Sequence, residues 1–566
     1  MKGKVPYKAG EKVKSPKKIV ILGGGVSGWM TAAYLSTQLK SSEQSEIEIV
    51  LIDAVECSKE SVAVSSLPFI KDILMPMKII EHDWMKTCNA TIKLGSRFVD
   101  WSGRGEEDAF FHPYERSNAI AIGGFFPLEW WLEQYFRSDP SPFPPVSGVS
   151  SFLMMEKKSP RGLEDFRSFS GALPYAYHFD GDLHREYCRK MAKRHGVEGF
   201  SGRLTDVNFD SKGFVCSVRT DEGREFAADY FIDCTESNRL LLRKALREPF
   251  VSDAKSLLCD RSLFVSFNRS DGEIDPFTTS TALSFGSVWE IPLFDRVCYH
   301  YTYSSSFIGD SKAEEQLRAF LSKRGRNEEW ESKRFSLEAG RLQRWWVKNC
   351  IAIGSAGGAI DSTMAMGMHL TYTGILNLLN YFPNERTTSY LSDEYNRVMH
   401  RHYRSALNYT LAHYCTSDRE DSSFWKANKY SLEIPRGLQE ILLRWKKGVL
   451  VRSRTNLLGD DYDVIFGADA YIYLLTGMRF LPEVLPGALR YSNKRALEEL
   501  KSFQDSLYKW AREYPSHYRY LLEARKKVDS MLFPQGYMES GSTYTKTGNG
   551  SVSLLSPALS EENPFT

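Results

Sequence analysis

Glycines near the start of the chain have the spacing of a dinucleotide-binding turn. Residues 23–28 (GGGVSG) fit G-x-G-x-x-G directly after the apolar run IVIL and before a stretch with helical spacing. Glycines there permit a tight turn, so that N–H groups at a helix start can approach a pyrophosphate. Asp53 ends the next apolar run, about 20 residues on, where a carboxylate can bind a ribose hydroxyl. The pattern predicts a dinucleotide site built from Gly23, Gly25, Val26, Ser27, Gly28 and Asp53. It leaves FAD and NAD open, and also a glycine turn that binds nothing.

Two later segments favour FAD. The apolar run YFIDCTES ends in Asp233, where many flavoproteins return to the nucleotide domain, and NCIAIGSAGGAIDS passes Gly354 before a helical stretch. A helix start of this kind offers backbone N–H groups to the polar edge of a flavin. Each segment alone is ordinary sheet core, whereas the two together in this order indicate FAD.

The elements that must position these residues follow from local patterns. The first 40 residues indicate strand, glycine turn and helix, a second strand ends at Asp53, and a helix follows Asp180. Residues 214–237 indicate a hairpin and a buried strand, and the pattern is mostly helical from Ser389. We expect an α/β fold: an FAD-binding, Rossmann-like (doubly wound) domain with a β-sheet substrate region, plus a mainly α-helical C-terminal subdomain. The predicted boundaries are a flexible basic arm (1–17), the FAD-binding domain (18–388), the helical subdomain (389–534) and a disordered tail (535–566).

Composition excludes several classes of protein. A formal charge of +2 over 566 residues argues against nucleic-acid binding. The nine cysteines are scattered, without metal-ligand spacing, which predicts no disulfide framework and no metal site and fits a cytoplasmic compartment. No run approaches the roughly 18 apolar residues of a membrane span, so no membrane partner is expected. The sequence allows a homodimer without requiring one.

A series of collinear blocks resembles the flavin-dependent tryptophan halogenases. The blocks are GGGVSGWM, NATIKLGSRFVDW (89–101), FHPY (111–114), PYAYHFDGDL (174–183), DYFIDCT, VWEIP (288–292), WWVKNCIAIG (345–354), SSFWKAN (422–428) and FGADAYIYLLTGM (466–478). Their order matches throughout, from about Lys18 to about Met478. The resemblance therefore implies that family's fold, cofactor and reaction.

The implied reaction uses FAD that a separate NAD(P)H flavin reductase supplies as FADH2. In the family, reduced FAD and oxygen form a flavin hydroperoxide, and halide (chloride or bromide) attacks it to give hypohalous acid. The acid passes through the interior to a lysine beside an aromatic substrate, where it is held or converted to a haloamine. An enclosed route keeps a diffusible oxidant away from water and from indiscriminate reaction.

The resemblance assigns roles to individual residues. Lys93 matches the lysine, although position alone favours a strand lysine in a surface ion pair. His112, Tyr114 and Tyr471 match positions that sandwich an indole, with Tyr in place of the usual Phe and Trp at two of them. Gly367 matches a residue whose backbone helps to hold halide, with Met366 beside it. The substrate is then an indole, a phenol or another electron-rich aromatic group, free or carried on a larger molecule or peptide.

The sequence also departs from the family. The W-x-W-x-I-P block begins with Ser287 in place of its first Trp, and the strap V-G-V-G-E-A-T-x-P reads VAVSSLP over 62–68. The block E-P-L-E-S-T-x-I-H-L aligns with residues 361–370, so that the second glutamate, which positions the oxidant or accepts the ring proton, falls on Met364. Loss of a general base is typically worth 10²–10⁴ in rate, unless another group such as Asp361, Glu290 or His369 takes over.

Three hypotheses remain. The first is an FADH2- and O2-dependent halogenase acting through Lys93. The second is a halogenase-derived flavin monooxygenase or oxidase that does not use halide, which the altered glutamate, strap and W-x-W block favour. The third is a flavin-binding or partner-binding protein that has lost turnover, against which the retained Lys93 and the glycine turn count.

Overall fold

The computed structural model describes residues 16–39, 47–53, 62–115, 148–171, 173–269, 272–361, 366–383, 388–449, 465–484 and 511–532, with a few more between 502 and 509. The predicted arm up to residue 15, the predicted tail and Met364 lie outside these residues.

The described chain contains both strands and helices as far as Ala359, and only helices follow. The strands are β1 (Lys18–Leu22), β2 (Glu48–Asp53), β3 (Ala63–Ser65), β4 (Thr91–Lys93), β5 (Gly95–Val99), β6 (Phe110–Pro113), β7 (Ala176–Asp180), β8 (Glu198–Ser201), β9 (Leu204–Phe209), β10 (Val215–Thr220), β11 (Glu225–Ala227), β12 (Tyr230–Asp233), β13 (Phe250–Ser252), β14 (Arg261–Asn268), β15 (Thr278–Leu283), β16 (Gly286–Pro292), β17 (Arg296–Tyr303), β18 (Lys333–Ser336), β19 (Gly340–Leu342), β20 (Trp346–Val347), β21 (Cys350–Ala352) and β22 (Gly358–Ala359). The helices are α1 (Val26–Leu39), α2 (Lys71–Leu74), α3 (Glu81–Thr87), α4 (Val149–Met155), α5 (Gly181–Arg194), α6 (Asp310–Ser322), α7 (Met366–Asn380), α8 (Thr388–Cys415), α9 (Ser423–Tyr430), α10 (Arg436–Lys446), α11 (Ala468–Gly477) and α12 (His517–Leu532).

A six-stranded sheet forms the nucleotide-binding half. Its order is β20-β21-β12-β1-β2-β8, and all neighbours are parallel except the edge strand β20. The central strands β1 and β2 are almost wholly apolar and buried, as expected for a parallel sheet covered on both faces. Strand β1 has β2 on one side and β12 on the other, so chain connections leave it in both directions. The predicted doubly wound fold is confirmed.

The sequence signals for the start and end of a helix are found at the two ends of α5. Asp180 ends β7 and caps α5, because its carboxylate accepts the backbone N–H of Leu183 at 2.9 Å. Lys193 and Arg194 lie in the last turn of α5, where positive charge interacts favourably with the negative end of the helix dipole. The predicted hairpin is β10 and β11, followed by the buried strand β12.

Two more sheets build the half that is predicted to bind the substrate. A seven-stranded sheet, β18-β14-β17-β16-β15-β5-β6, is antiparallel except where β15 pairs with β5. A small sheet, β3-β7-β4, lies against it. Two further three-stranded sheets, β11-β10-β9 and β13-β19-β22, contribute buried residues such as Val218 and Leu342 to a core shared with the nucleotide sheet.

The long helix α8 joins the two halves. Asn396 accepts the backbone N–H groups of Trp345 and Trp346 next to the nucleotide sheet, and Tyr409 further along α8 contacts His112 of β6. The main apolar core is continuous from Ile19 to Leu521 and so crosses residue 388. The division into units at 388/389 stays a proposal. Within the described part of the chain, no helix is long and apolar enough to cross a bilayer.

Candidate functional site

The predicted nucleotide residues gather at one edge of the six-stranded sheet. Gly23 follows β1, Asp53 ends β2, Asp233 ends β12, and Gly354 lies two residues beyond β21. Because these strands are parallel, their carboxyl ends meet at the same edge, which is where doubly wound folds bind ligands. The structure thus brings together residues that are up to about 330 positions apart in the sequence.

The glycine turn leaves no room for side chains. Gly23 has φ +110°, and a Cβ there would lie 2.3 Å from the carbonyl oxygen of Cys234. A Cβ on Gly28 would lie 1.8 Å from the carbonyl oxygen of Gly23. The turn therefore packs directly against the end of β12, and Val26 and Ser27 begin α1 immediately after it. Trp29 N–H closes the first helical turn on the Gly25 carbonyl at 3.1 Å.

One carboxylate oxygen of Asp53 is available to accept a hydrogen bond. Its carboxylate lies over Gly24, where a Cβ would come within 2.3 Å of Cγ. Burial raises the pKa of Asp53, while the Gly24 N–H and the charge of Arg185 oppose that rise. Its Oδ1 is buried and has no partner among the described residues. An unpaired buried carboxylate oxygen is costly, so a ribose hydroxyl would satisfy it. The cradle fits the nucleotide part of FAD.

A second wall of the cradle comes from Gly354 and α7. Gly354 has φ +69°, and a Cβ there would lie 2.7 Å from Ser27 Oγ and 2.8 Å from Thr371 Oγ1. The two hydroxyls lie 3.2 Å apart, and Thr371 donates to the carbonyl of Gly367 at 3.0 Å. The predicted halide residue Gly367 is thus linked to the predicted cofactor residue Ser27 through Thr371. Sequence inspection missed Thr371, which gives no signal beyond lying one helical turn after Gly367.

Asp233 is engaged by its own chain. Oδ1 accepts the N–H and hydroxyl of Thr235 at 3.0 and 2.6 Å. Oδ2 accepts the N–H groups of Leu241 and Leu242 at 2.8 and 3.2 Å. These bonds fix the turn after β12, so Asp233 contributes to the cradle through the shape of that turn.

Strand register explains where the Lys93 side chain goes. Side chains alternate between the two faces of a strand, and β7 lies between β3 and β4 with the register Ser65↔His178↔Thr91 and Lys93↔Ala176. These five residues therefore share one face of the small sheet. Ala176 is small, so Lys93 can extend across β7 to β3. Its Nζ donates to Ser65 Oγ at 2.7 Å.

Lys93 is a buried amine, not a surface ion-pair lysine. The residue is 1% exposed, and burial alone lowers its pKa to about 7. Its described partners are the Ser65 hydroxyl and the Tyr114 ring, whose centroid lies 5.4 Å from Nζ. No carboxylate is among these partners. A substantial fraction of the Lys93 side chain is therefore a neutral amine near pH 7.

Aromatic residues from three elements meet beside Lys93. His112 and Tyr114 come from β6 and the residue after it, and Tyr409 of α8 contacts both His112 (Nε2 to OH, 2.8 Å) and Tyr471 of α11 (ring centroids 5.2 Å apart, T-shaped). His112 is buried, and burial lowers its pKa to about 4, so the ring is neutral. We call His112, Tyr114, Tyr409 and Tyr471 the aromatic cluster: Tyr409 links His112 to Tyr471, and Tyr114 follows His112 by two residues with its ring centroid 5.4 Å from Lys93 Nζ. Sequence inspection missed Tyr409, whose position in a helix gives no signal.

The strap is attached to the same cluster. Tyr114 OH donates to the carbonyl of Ser66 at 2.9 Å. Ser66 is also bonded to Tyr177 of β7 by its N–H (3.0 Å) and its hydroxyl (2.9 Å). The strap of residues 62–68 therefore touches Lys93 through Ser65 and the predicted substrate wall through Ser66.

The altered W-x-W block has a local compensation. Trp289 of β16 is 4% exposed and its indole N–H donates to Ser287 Oγ at 3.1 Å. The serine in place of the first tryptophan thus supplies the acceptor that a buried indole needs.

The suggested substitutes for the missing glutamate are bound elsewhere. Asp361 accepts a hydrogen bond from the Tyr414 hydroxyl at 2.6 Å. Glu290 forms an ion pair with Arg324, with 3.8 Å between Oε2 and Nε. His369 of α7 contacts Tyr372 OH at 3.0 Å and His402 at 3.1 Å. Met366 is fully buried at the start of α7, whereas Gly367 is exposed and a Cβ there would meet no described atom within 4 Å. No group of three or more His, Cys, Asp or Glu residues suited to a metal occurs in the described part.

Comparison with known proteins agrees with this geometry. The model of the family described as tryptophan halogenase matches residues 18–491. Tryptophan 7-halogenase KtzQ of Kutzneria sp. (strain 744) is 30% identical over 497 residues, which are 82% of this chain and 90% of that protein. Among solved structures, Tar14, a tryptophan C-6 flavin-dependent halogenase, is 30% identical with a TM-score of 0.80, covering 90% of this chain and all of that one. The tryptophan 6-halogenase SttH of Streptomyces toxytricini is 28% identical with a TM-score of 0.81 and the same coverage.

The chain belongs to the tryptophan halogenase family. It is accordingly an enzyme, a halogenase-type oxidoreductase and flavoprotein, with reduced FAD and halide as its cofactors. The family's reaction is halogenation of an aromatic substrate. The roles of individual residues in this chain remain predictions.

Proposed function

We propose that the enzyme transfers a halogen to an indole, a phenol or another electron-rich aromatic group, and that Lys93 delivers it. One observation carries the proposal: a fully buried amine with a pKa lowered to about 7 lies beside an aromatic cluster and is bonded to the strap. A buried neutral amine is a nucleophile at neutral pH, whereas a surface lysine is almost wholly protonated.

The steps at Lys93 balance without an added base. The chemistry that bound FAD supplies, once reduced by a separate reductase and met by oxygen, is oxidation of halide to hypohalous acid. The Lys93 amine takes the halogen from hypohalous acid, forming an N–halogen bond and releasing water. The aromatic ring then takes the halogen and loses a proton, and the lysine nitrogen gains one, which restores the amine.

This proton balance bears on the missing glutamate. Met364 stands where the family pattern has that glutamate, and a thioether cannot accept a proton. Because the nitrogen of Lys93 can end with the ring proton in the haloamine route, turnover does not require a carboxylate. We expect a slower ring-deprotonation step than with a dedicated base, since general bases typically contribute 10²–10⁴ in rate.

The walls of the site support a flat substrate. His112 is held neutral, and Tyr114 and Tyr471 offer ring faces and edges rather than charge. Flat electron-rich rings pack well against such surfaces. The ring belongs to a free aromatic small molecule or is carried on a larger molecule or peptide, and these two substrate classes are compared in the halide experiment.

A second candidate is oxygenation or oxidation without halide. Its specific support is Ser287, which replaces a tryptophan of the W-x-W block and binds Trp289, together with the altered strap. In that case Lys93 would hold substrate rather than carry a halogen.

The two candidates differ in their need for halide. Purified enzyme with a flavin reductase, NADH, FAD and oxygen is incubated with bromide, with chloride or without halide, against free indoles, phenols and tryptophan-containing peptides. Mass spectrometry should show a gain of one halogen that depends on halide. Oxygen insertion or dehydrogenation at the same rate without halide supports the second candidate, and absence of any product contradicts both.

A lysine pair tests the role of Lys93. Lys93→Met keeps the aliphatic stem and removes the amine, so we expect halogenated product to fall below detection while flavin oxidation and hypohalous acid formation continue. Lys71→Met is the matched control, because Lys71 is another lysine whose pKa burial lowers, to about 8, and its amine packs over the Tyr175 ring. Product formation should persist in that control. Normal yield from Lys93→Met would remove the residue from the mechanism.

A further inference from the structure

Lys93 begins a continuous row of buried hydrogen-bonding groups. The row runs from Lys93 Nζ to Ser65 Oγ (2.7 Å), Thr278 Oγ1 (3.3 Å), His178 Nε2 (2.7 Å), then from His178 Nδ1 to Thr91 Oγ1 (3.2 Å) and on to the Pro292 carbonyl (2.7 Å). His178, Thr91 and Thr278 are fully buried. The row joins the strap, the small sheet and the ends of two interior strands, β15 and β16, of the seven-stranded sheet.

The direction of donation along the row is fixed at its far end. The Pro292 carbonyl can only accept, so the Thr91 hydroxyl donates to it and accepts from His178 Nδ1–H. His178 is neutral, because burial holds its pKa well below the ordinary value and the charge of Lys93 lowers it further. Its Nε2 then carries no hydrogen and accepts a hydrogen bond from the Thr278 hydroxyl. Thr278 in turn accepts the Ser65 hydroxyl.

This order of donation determines how Ser65 bonds to Lys93. The Ser65 hydroxyl donates its hydrogen to Thr278 Oγ1. Towards Lys93, the Ser65 oxygen can therefore only accept a hydrogen bond. Ser65 accepts from Lys93 whether the side chain is an ammonium or a neutral amine. A serine without this commitment would rotate and donate to the lone pair of the neutral amine, which is the pair that must attack hypohalous acid.

We propose that His178, acting through Thr278 and Ser65, is a positioning residue that keeps the lone pair of the Lys93 amine free for the halogen. This rests on the proposed function of Lys93. The row also gives a role to a serine of the strap, because Ser65 is the acceptor that orients the Lys93 amine.

The other groups that face Lys93 do not compete for this role. His112 and Tyr114 face it from β6 and its end, and His178 from β7. His517 of α12 lies close enough to His178 to lower its pKa. His112 and His517 have pKa values lowered by burial to about 4 and about 3, and burial raises that of Tyr114 well above its usual value. Among these described groups only Lys93 has a pKa between 6 and 8, so a shift of the activity profile in that range between folded variants reports Lys93.

Thr278→Val breaks the row between Ser65 and His178 with little change in shape. The freed Ser65 hydroxyl then donates to the neutral amine, which stabilises the amine and occupies its lone pair. We expect the halogenation rate on the high-pH plateau to fall roughly tenfold, as for the loss of one well-placed hydrogen bond. The apparent pKa of the rising limb should fall at the same time. A variant that only admits water would raise that pKa toward the ordinary lysine value.

A second substitution makes the test sharper. Ser65→Ala in the Thr278→Val background removes the misdirected donor, so the double variant should recover part of the plateau rate. Thr278→Ser keeps a hydroxyl at this position, so we expect the plateau rate and the apparent pKa of the wild type. Thr279→Val alters the neighbouring threonine, which points to the opposite face of β15, and should behave as the wild type. Thr278→Ala replaces Thr278→Val if the valine variant does not fold.

All rates are measured with saturating reductase, from pH 5.5 to 9, and hypohalous acid is measured separately with a soluble 1,3-diketone trap. A Thr278→Val plateau equal to that of the wild type, an apparent pKa that rises, or losses that simply add in the double variant overturns the inference. Absence of halide-dependent product in the wild type contradicts the proposed function instead, so the two failures are distinguishable.

Discussion

His517 Nε2 accepts the backbone N–H of Ile92 at 3.1 Å, and its Nδ1–H donates to the Ile274 carbonyl at 3.1 Å. Ile92 precedes Lys93 in β4, which is an edge strand of its small sheet. The imidazole therefore takes the place of a neighbouring strand. It comes from α12, which lies beyond residue 491, where the match to the family model ends. The last described helix thus helps to fix the strand that carries the buried amine.

Loss of this imidazole should destabilise the fold. His517→Leu leaves a buried N–H and a buried carbonyl without partners, so we expect the free energy of unfolding to fall by about 2–5 kcal/mol. Urea denaturation followed by tryptophan fluorescence measures this change. Arg519→Leu, on the exposed side of the same helix, is the control and should stay within about 0.5 kcal/mol of the wild type. Equal stability of the two variants would show that α12 is not anchored through His517.

Burial of neutral histidines predicts sensitivity to mild acid. Burial is the main cause of a lowered pKa in ten of them: His82, His112, His178, His184, His300, His369, His400, His402, His413 and His517. The unfolded chain binds protons at these residues near pH 6.5, and the folded chain does so only at lower pH. Stability is therefore fully present above about pH 6.5 and is lost as the pH falls toward the folded pKa values.

The size of this effect should exceed that of carboxylate titration. Each fully buried histidine removes about 1.4 kcal/mol per pH unit below its unfolded pKa. A few acting together should unfold the chain well above pH 4. Denaturation midpoints at pH 7, 6 and 5 measure the slope. A free energy of unfolding that is constant from pH 7 to 5 would contradict the prediction.

Local patterns in the sequence predicted the nucleotide half correctly. The glycine turn, the strand that ends at Asp53, the helix after Asp180 and the hairpin of residues 215–227 all depend on neighbouring residues, whose periodicity and turn chemistry are visible directly. The resemblance supplied Lys93, and the structure then showed that the residue is buried.

Contacts that depend on strand register were beyond the sequence. Lys93 and Ser65 are 28 positions apart and meet only because both strands pair with β7 in one particular register. His517 and Ile92 are 425 positions apart, and no local pattern connects them. Alternation along a strand predicts that Thr91 and Lys93 share a face, but it does not predict which side chains lie across from them.

Asp53 gives a prediction about cofactor affinity. Asp53→Ala removes the buried oxygen that has no described partner, so a charge-assisted hydrogen bond to the ribose is lost. Such bonds are worth about 1.5–3 kcal/mol, which corresponds to a roughly 10- to 100-fold higher Kd for FAD. Flavin fluorescence titration measures it. Glu48→Ala, at the exposed start of the same strand, should bind FAD as the wild type does. Unchanged affinity in Asp53→Ala would show that the oxygen is not used by the cofactor.

Gly28 gives a prediction about the turn itself. A Cβ at residue 28 would lie 1.8 Å from the Gly23 carbonyl oxygen, a backbone atom that cannot move without opening the turn against β12. We therefore expect Gly28→Ala to lose about 3 kcal/mol of stability, at the upper end of the range typical of overpacking, and to lose measurable FAD binding. Gly162→Ala is the matched control, because a Cβ there meets nothing within 4 Å. Thermal unfolding and FAD titration of both variants test the expectation. A Gly28→Ala protein that binds FAD with the affinity of the Gly162→Ala protein would mean that the turn can widen, and that close approach of the backbone to the pyrophosphate does not depend on this glycine.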